Sequence, residues 1–217
     1  MAINPWEALM YAIRCAHIVG STKGAAVTID DTVRLADDKG AMTLYCARER
    51  INGASHYTIT KDENEFSKQV YWLPWKEGKN ETATIELLDR SGAEFFLTSS
   101  MSGCHFVGCD SVVMHTAPGF AKMPIDDPVD AALDSINVLS DRLGRFGFST
   151  DNTFILSPST GNVAAKSTSN YGNSGGTLNP IPRALVMGWK LDKQWFFAYQ
   201  DLTIDTNEHA KWKKLRG

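Results

Sequence analysis

The feature of this sequence that most constrains its fold is a long series of short segments rich in β-branched and aromatic residues and bounded by Gly, Asn and Asp. Such segments predict strands, roughly ten of them in this chain. They are AAVTID, AMTLYCAR, HYTIT, KQVYWLPW, AEFFLT, CHFV, SVVMHT, TFIL, RALVMGWKL and QWFFAYQDLTI. Strands that follow one another, without helices alternating between them, are typical of an α+β fold. We therefore expect two packed β-sheets flanked by helices and long loops.

Two stretches carry helix signals instead. The first, 4–20, opens with an Asn-Pro pair and ends at a glycine. The second, 127–144, opens with an Asp-Pro pair and also ends at a glycine. The segment 157–183 is rich in Ser, Thr, Gly, Asn and Pro and has no period, so it predicts a long loop whose role the sequence leaves open.

Length and charge narrow the class of protein. A chain of 217 residues predicts a single domain, 1–217, with room for a full hydrophobic core. The net charge of −3 argues against direct nucleic-acid binding, which normally requires a basic surface. No apolar run is long enough to predict a membrane span. Residues 1–20 lack a basic start and include Glu7 and Arg14, so we expect a helix there and no conventional signal peptide.

The segment 95–118 brings two cysteines together with two histidines. Within it, CHFV and SVVMH flank GCDS, which predicts a hairpin turn. An even-numbered loop places Cys104 directly opposite His115, with Cβ atoms ~5 Å apart. A three-residue loop pairs Cys104 with Met114 instead. Because neighbouring residues on a strand point to opposite faces, His105 is expected to face away from Cys104.

A thiol beside an imidazole is the arrangement of a cysteine nucleophile and its base. An imidazolium partner favours the thiolate, which is the reactive form of the thiol. The SMSG turn before the cysteine predicts an oxyanion hole made of the backbone amides of Gly103 and Cys104. A third group has to orient the histidine, and spacing alone leaves several candidates. These are Thr98, Ser99, Ser100 and Asp110.

Four motifs occur in order along the chain: WLPWK at 72–76, FFLT at 95–98, SGC at 102–104 and HTAP at 115–118. This combination resembles the Burkholderia lethal factor family of cysteine-dependent protein glutamine deamidases and, more remotely, the catalytic domains of cytotoxic necrotizing factors. The resemblance implies that Cys104 is the nucleophile, His115 the base and Thr98 the third member of the triad. It also implies a sandwich of two mixed β-sheets with peripheral helices, in agreement with the strand pattern.

The resemblance further implies a toxin or effector that passes from the bacterial cytoplasm to the host cytosol and converts a specific Gln of a host protein to Glu. A translation-initiation RNA helicase is the candidate host partner, and no cofactor or metal is expected. Pro74 predicts that a strand ends or bulges within WLPWK. Core packing alone explains this motif, while in the functional interpretation Trp75 and Lys76 line the substrate groove. Tyr171, in the long loop, is a third candidate for the groove.

Three alternatives remain open at the level of sequence. A cysteine protease or a transglutaminase uses the same acyl-enzyme chemistry on Cys104. A zinc site is a second alternative, although no CxxC pair is present. Its candidate ligands are Cys104, His105, Cys109 and His115. The third alternative is a non-catalytic binding module that uses its C-terminal aromatic strands. The sequence has no heptad repeat that would predict an oligomer, so a monomer is expected. The four cysteines are too few for a disulfide framework and are expected to be free thiols.

Overall fold

The structure is a computed structural model, which describes residues 3–19, 25–77, 80–109, 112–116, 154–158, 168–171, 183–202 and 212–216. The helices are α1 (Pro5–Val19), α2 (Asp31–Arg34) and α3 (Ile85–Arg90). The strands are β1 (Ala26–Ile29), β2 (Gly40–Ile51), β3 (Ala54–Thr60), β4 (Ser67–Leu73), β5 (Asn80–Thr84), β6 (Phe95–Thr98), β7 (His105–Gly108), β8 (Val112–Thr116), β9 (Phe154–Pro158), β10 (Thr168–Tyr171), β11 (Ala184–Leu191), β12 (Gln194–Asp201) and β13 (Trp212–Arg216).

These strands form two mixed sheets. The eight-stranded sheet has the order β1-β3-β2-β4-β6-β11-β12-β13, and the five-stranded sheet has the order β10-β9-β7-β8-β5. The pairs β1/β3, β4/β6 and β9/β10 are parallel, and the other paired strands run antiparallel. The predicted α+β fold with two mixed sheets is confirmed.

A cluster of aromatic rings packs the two sheets against each other. Phe96 of the eight-stranded sheet lies 5.9 Å, centroid to centroid, from Phe106 of the five-stranded sheet. Phe197 lies 6.2 Å from Phe106 and 6.0 Å from Phe154. Buried rings at these separations add specific edge and stacking contacts to the burial of their apolar surface. The space between the sheets is therefore a hydrophobic core, which we call the inner core.

Strand β6 has core on both of its faces. Phe95 and Leu97 belong to a second core that includes Trp6 of α1, and the Trp6 and Phe95 rings lie 4.9 Å apart. Since side chains alternate along a strand, Phe96 and Thr98 point the other way, into the inner core. All four residues of β6 are buried, which explains why FFLT lacks a polar face. This alternation aims a hydroxyl group at the five-stranded sheet.

Several elements were not predicted. Helices α2 and α3 and strands β5 and β13 are too short for a periodic signal, although Thr84 caps α3 by accepting a hydrogen bond from the Leu87 amide at 3.0 Å. The prediction of an irregular loop over 157–183 is wrong in part. Strand β9 runs into it, and β10 pairs in parallel with β9 inside it. Composition does not encode this parallel pairing of β10 with the preceding strand, which makes the segment partly regular. The predicted helix at 127–144 lies outside the described residues.

The predicted end of a strand at Pro74 is confirmed, because β4 ends at Leu73. Within the part of the chain that the structure describes, no helix is long and apolar enough to cross a membrane.

Candidate active site

The β7–β8 hairpin has a different register from the predicted one. His115 pairs with Phe106, not with Cys104, and His105 pairs with Thr116. The direct pairing of Cys104 with His115 was therefore wrong. The reason is that the turn lies one residue later in the chain than expected, since the Cys109 amide donates to the Val112 carbonyl at 2.9 Å and the two strands close at this pair.

The shift in register is two residues, and a shift of two keeps every side chain on its predicted face. Cys104 precedes Phe106 by two positions, so both lie on the same side of the hairpin as His115. Cys104 and Phe106 are both members of the inner core. Cys104 lies one residue before β7, next to the ladder that pairs Phe106 with His115. The shared face predicted from the sequence is confirmed.

Thr98 fixes the protonation of the His115 ring. Thr98 Oγ1 lies 2.7 Å from Nδ1 of His115 and donates its own proton to the carbonyl oxygen of Leu73 at 2.8 Å. A hydroxyl group has one proton and a carbonyl oxygen can only accept, so the Thr98 oxygen has to accept a proton from Nδ1. The neutral imidazole then carries its lone pair on Nε2.

This Nε2 atom is buried and has no hydrogen-bond partner among the described residues. A buried nitrogen lone pair without a partner costs free energy, commonly about 1–3 kcal/mol. Such unsatisfied groups in a folded protein are often functional. His115 therefore presents an unprotonated nitrogen to the inner core, as a general base requires.

Burial disfavours the charged forms of both His115 and Cys104. Burial, together with the neighbouring His105, lowers the pKa of His115 to about 3. Burial raises the pKa of the Cys104 thiol, against smaller opposing effects of hydrogen bonds from the Ser102 backbone and the Trp75 side chain. The expected imidazolium–thiolate pair is therefore not the resting state, because the interior disfavours both charges. The arrangement instead suits proton transfer from a neutral thiol to a neutral imidazole during attack.

The site is nearly closed to solvent. Cys104 is 6% exposed and His115 is 1% exposed, whereas Trp75 is 42% exposed.

The Gly103–Cys104 turn is held by Tyr171. The Gly103 amide donates to the Tyr171 hydroxyl at 3.1 Å, and this hydroxyl donates to the Cys104 carbonyl at 2.7 Å. Gly103 has a φ of +85°, a conformation that glycine adopts without strain. The prediction that the Gly103 amide serves the oxyanion is wrong for this conformation, because Tyr171 already occupies that donor. The Cys104 amide stays a prediction.

Tyr171 does not line an open groove. Its side chain is fully buried in the inner core, so its position in the groove was mispredicted. It packs inward because β10 joins the five-stranded sheet next to β9. Tyr171 is a positioning residue for the turn that carries the sulfur.

Trp75 and Lys76 follow directly after β4, and their place in a substrate groove stays a prediction. The Trp75 amide donates to Ser99 Oγ at 2.9 Å, which ties the end of β4 to the end of β6. Lys76 Nζ lies 3.7 Å from Glu81, and Lys39 Nζ lies 3.5 Å from the same carboxylate. Glu81 is the cross-strand partner of His115 in the five-stranded sheet. Lys76 therefore forms an ion pair with the residue that lies directly opposite His115 in the five-stranded sheet.

The other residues named from the sequence as candidates for orienting the histidine or binding a metal lie apart from the His115 imidazole. Ser99 accepts the Trp75 amide rather than facing the histidine, and Asp110 lies outside the described residues. His105 lies on the face of β7 opposite to His115, as alternation predicted. Among the described residues, no three His, Cys, Asp or Glu side chains come close enough to hold a metal ion.

Sequence reasoning missed two contributions that come from the backbone. The Leu73 carbonyl accepts the Thr98 proton, and the Cys104 carbonyl accepts a hydrogen bond from the Tyr171 hydroxyl. Every residue type carries these groups, so no residue pattern could have indicated them.

No protein-family model and no curated protein matches the chain. Among solved structures, it is similar to the C-terminal domain of CNFy from Yersinia pseudotuberculosis, with a TM-score of 0.44 and 11% sequence identity. The overlap covers 95% of this chain and 97% of that domain. At this score and identity the likeness carries no argument about activity, which has to come from the site itself.

Proposed function

We propose that this protein is a cysteine-dependent protein glutamine deamidase with Cys104 as nucleophile, His115 as base and Thr98 as the group that orients the imidazole. The observation that carries the proposal is the pair of hydrogen bonds at Thr98. They place the His115 proton on Nδ1 and leave the Nε2 lone pair on the face that also holds the Cys104 side chain. The resemblance of the four motifs to the deamidase family supports the same assignment.

In the acylation step, Cys104 Sγ attacks the side-chain carboxamide carbon of a substrate glutamine. His115 Nε2 takes the thiol proton, and the carbonyl π electrons move to the oxygen. The tetrahedral intermediate collapses as the carbon–nitrogen bond breaks. His115 returns the proton to the leaving nitrogen, so ammonia departs and a thioester remains.

In the second step, water attacks the thioester carbon and His115 Nε2 takes one proton of that water. The carbon–sulfur bond breaks, and the proton passes to the Cys104 sulfur. The balance is one carboxamide and one water converted to one carboxylic acid and one ammonia. The product glutamate ionises, so the target gains a negative charge where a neutral amide had been. An uncompensated charge in a buried or interfacial position is costly, which explains how one such change could inactivate a target.

Thr98 contributes by keeping Nδ1 protonated throughout. When Nε2 receives a proton, the ring becomes an imidazolium whose Nδ1–H still donates to Thr98 Oγ1. A hydrogen bond from a charged donor is stronger than its neutral counterpart. The Thr98 contact therefore favours the charged state that burial otherwise disfavours.

The family resemblance extends the proposal to the substrate and to the place where the protein acts. We place the protein's action in the host cytosol, on a Gln of a host protein, with a translation-initiation RNA helicase as the first candidate. Trp75 and Lys76, directly after β4, offer a partly exposed aromatic and basic edge for recognition of that protein.

The decisive experiment treats a eukaryotic lysate with the wild-type protein, with Cys104→Ser and with Cys46→Ser, and identifies modified peptides by mass spectrometry. We expect one Gln-to-Glu conversion with the wild type and none with Cys104→Ser. Cys46 is a matched control because it is a buried thiol in the other core, where burial raises its pKa to about 12. Cys46→Ser is expected to convert the same Gln.

Other products would replace the proposal with a named alternative. Cleaved fragments dependent on Cys104 indicate a protease, and Gln–amine crosslinks indicate a transglutaminase. Undiminished deamidation by a folded Cys104→Ser variant would rule out the nucleophile assignment.

A further inference from the structure

Helix α1 and strands β4, β6 and β11 line a cavity of about 650 Å³. Phe95, the first residue of β6, forms part of its wall and packs in the core that contains Trp6. Thr98, at the other end of the same strand, points to the opposite face and contacts His115. The cavity is therefore separate from the proposed catalytic site. Sites that hold small molecules commonly have volumes of about 300–1,000 Å³, a range that includes this cavity.

Two hydrogen-bond donors on the α1 wall of this cavity have no acceptor. The indole nitrogen of Trp6 and Nε of Arg14 are buried, and neither has a hydrogen-bond partner among the described residues. Trp6 as a whole is only 1% exposed. Both nitrogens can donate but cannot accept, and a buried donor without an acceptor costs free energy. Trp6, Met10 and Arg14 follow one another at intervals of four residues, so the two donors share one side of the helix.

The charged groups on the opposite wall already have partners. Lys68 Nζ lies 3.0 Å from the Glu94 carboxylate, and Lys190 Nζ lies 2.7 Å from the Asp89 carboxylate. Asp89 also accepts the indole N–H of Trp195 at 2.9 Å. These two carboxylates are therefore engaged by other cations and donors, and they do not serve the guanidinium of α1.

The rest of the lining is an exposed carboxylate and apolar surface. Glu7, in the first turn of α1, is exposed, and it does not reach Nε of Arg14, which has no partner in the described part of the chain. Met10 and Phe95 add apolar wall, and Tyr11, 73% exposed, lies at the rim. The cavity thus combines unmatched donors, one of them cationic, with apolar surface. A ligand that matches it has a negatively charged acceptor and an apolar body.

We propose that this cavity binds a small carboxylic acid with an apolar body. Its carboxylate accepts hydrogen bonds from Arg14 Nε–H and from the Trp6 indole N–H, and its body lies against Met10 and Phe95. A guanidinium binds a carboxylate through two parallel hydrogen bonds, one of which uses an N–H such as the free one at Nε. The inference does not depend on the proposed deamidase activity.

Titration of the ¹⁵N-labelled protein with 3-phenylpropionate at pH 7 tests the site directly by NMR. The signals to follow are the Arg14 Nε–H and the Trp6 indole N–H, each identified by its loss in Arg14→Met or Trp6→Phe. We expect both signals to shift saturably with the same Kd, because one carboxylate accepts from both groups. The amide 3-phenylpropionamide has the same shape without the charge and is expected to leave both signals in place at the same concentration.

Arg14→Met keeps the length of the side chain and removes the donor. We expect the Kd for 3-phenylpropionate, followed at the Trp6 signal, to rise about tenfold or more, as is typical for loss of a hydrogen bond to a charged group. Arg34→Met is the matched control, because Arg34 is an exposed arginine of α2 that does not line the cavity. Its Kd is expected to equal that of the wild type. The comparison holds even if Trp6→Phe, a change in the core, does not fold.

Three results would overturn the proposal. The first is the lack of a saturable shift at about 10 mM 3-phenylpropionate, a concentration that reveals even a millimolar Kd. The second is an equal Kd in the wild type and in a folded Arg14→Met variant. The third is tighter binding of phenyl phosphate than of 3-phenylpropionate, which would assign the cavity to a phosphate ester instead. Deamidation in the lysate has no bearing on these outcomes, so failure of the two proposals can be told apart.

Discussion

The hydrogen bond between Thr98 and His115 crosses from one sheet of the sandwich to the other. Thr98 is the last residue of β6 in the eight-stranded sheet, and His115 lies in β8 of the five-stranded sheet. Their 2.7 Å contact is buried in the inner core. The orientation of the proposed base is therefore set by how the sheets pack, and a change in that packing moves Nε2 relative to Cys104.

Thr98→Val tests this contact with little change in side-chain volume. It leaves the His115 Nδ1–H and the Leu73 carbonyl without the hydroxyl that serves both, so we expect the free energy of unfolding to fall by about 1–3 kcal/mol. We also expect kcat for deamidation to fall at least tenfold, because the ring loses its tautomer and orientation. Urea unfolding and steady-state kinetics measure the two effects. Thr98→Ser restores the hydroxyl and is expected to restore most of both; a Val variant with normal kcat would contradict the assigned role.

Tyr171→Phe removes the hydroxyl that bridges Gly103 and Cys104. Because the ring stays in the inner core, packing is retained while two backbone groups lose their partner. We expect a loss of about 1–3 kcal/mol in unfolding free energy. We also expect kcat to fall with little change in KM, since the turn that carries the sulfur is displaced and the substrate surface is not. A rise in KM alone would indicate that Tyr171 contacts substrate instead.

The two hairpin histidines predict acid sensitivity. Burial lowers the pKa of His105 to about 4 and that of His115 to about 3, both below the value of ~6.5 for an unfolded histidine. Below about pH 6.5 the unfolded chain therefore binds protons that the folded protein does not bind. The free energy of unfolding is highest above about pH 6.5 and falls as the pH decreases. Each histidine contributes a slope approaching about 1.4 kcal/mol per pH unit.

Chemical denaturation between pH 7 and pH 5 measures this slope, a range above the titration of ordinary carboxylates. His115→Gln stays neutral at every pH and can still donate to Thr98, so its slope is expected to be about half that of the wild type. An unchanged slope in the variant would show that the pKa of His115 is the same in the folded and the unfolded protein, which would contradict a buried, neutral imidazole.

Gly108→Ala tests the packing beneath the hairpin. A Cβ at Gly108 would lie 2.3 Å from Cζ of Phe154, whose ring is buried against Phe106 and Phe197. Because the ring has no free space to enter, we expect a loss of about 1–3 kcal/mol in unfolding free energy. The double variant Gly108→Ala with Phe154→Leu makes room for the new methyl group. Its loss is expected to be smaller than the sum of the two single losses, and simple additivity would argue against the close approach.

The face shared by Cys104 and His115 was predictable because side-chain alternation survives a register error of two residues. The direct pairing was not, since whether a turn closes before or after Cys109 depends on hydrogen bonds that any residue can make. Thr98 followed from a family resemblance and not from spacing, which left Ser99, Ser100 and Asp110 equally open. Neither the spacing nor the family resemblance predicted that the thiol and the imidazole are neutral, because their pKa values depend on burial in the folded protein.

By itself the sequence determined the local structure: where most strands lie, which side chains alternate on each, and that a thiol and an imidazole share one hairpin face. These outcomes depend on steric and hydrophobic preferences that act between near neighbours in the chain. Tertiary structure alone decided that a threonine of one sheet meets a histidine of the other, and that Tyr171 engages the amide of Gly103. Those contacts join residues brought together by the burial of two apolar faces, and the low polarity created there sets the charge state of every group between them.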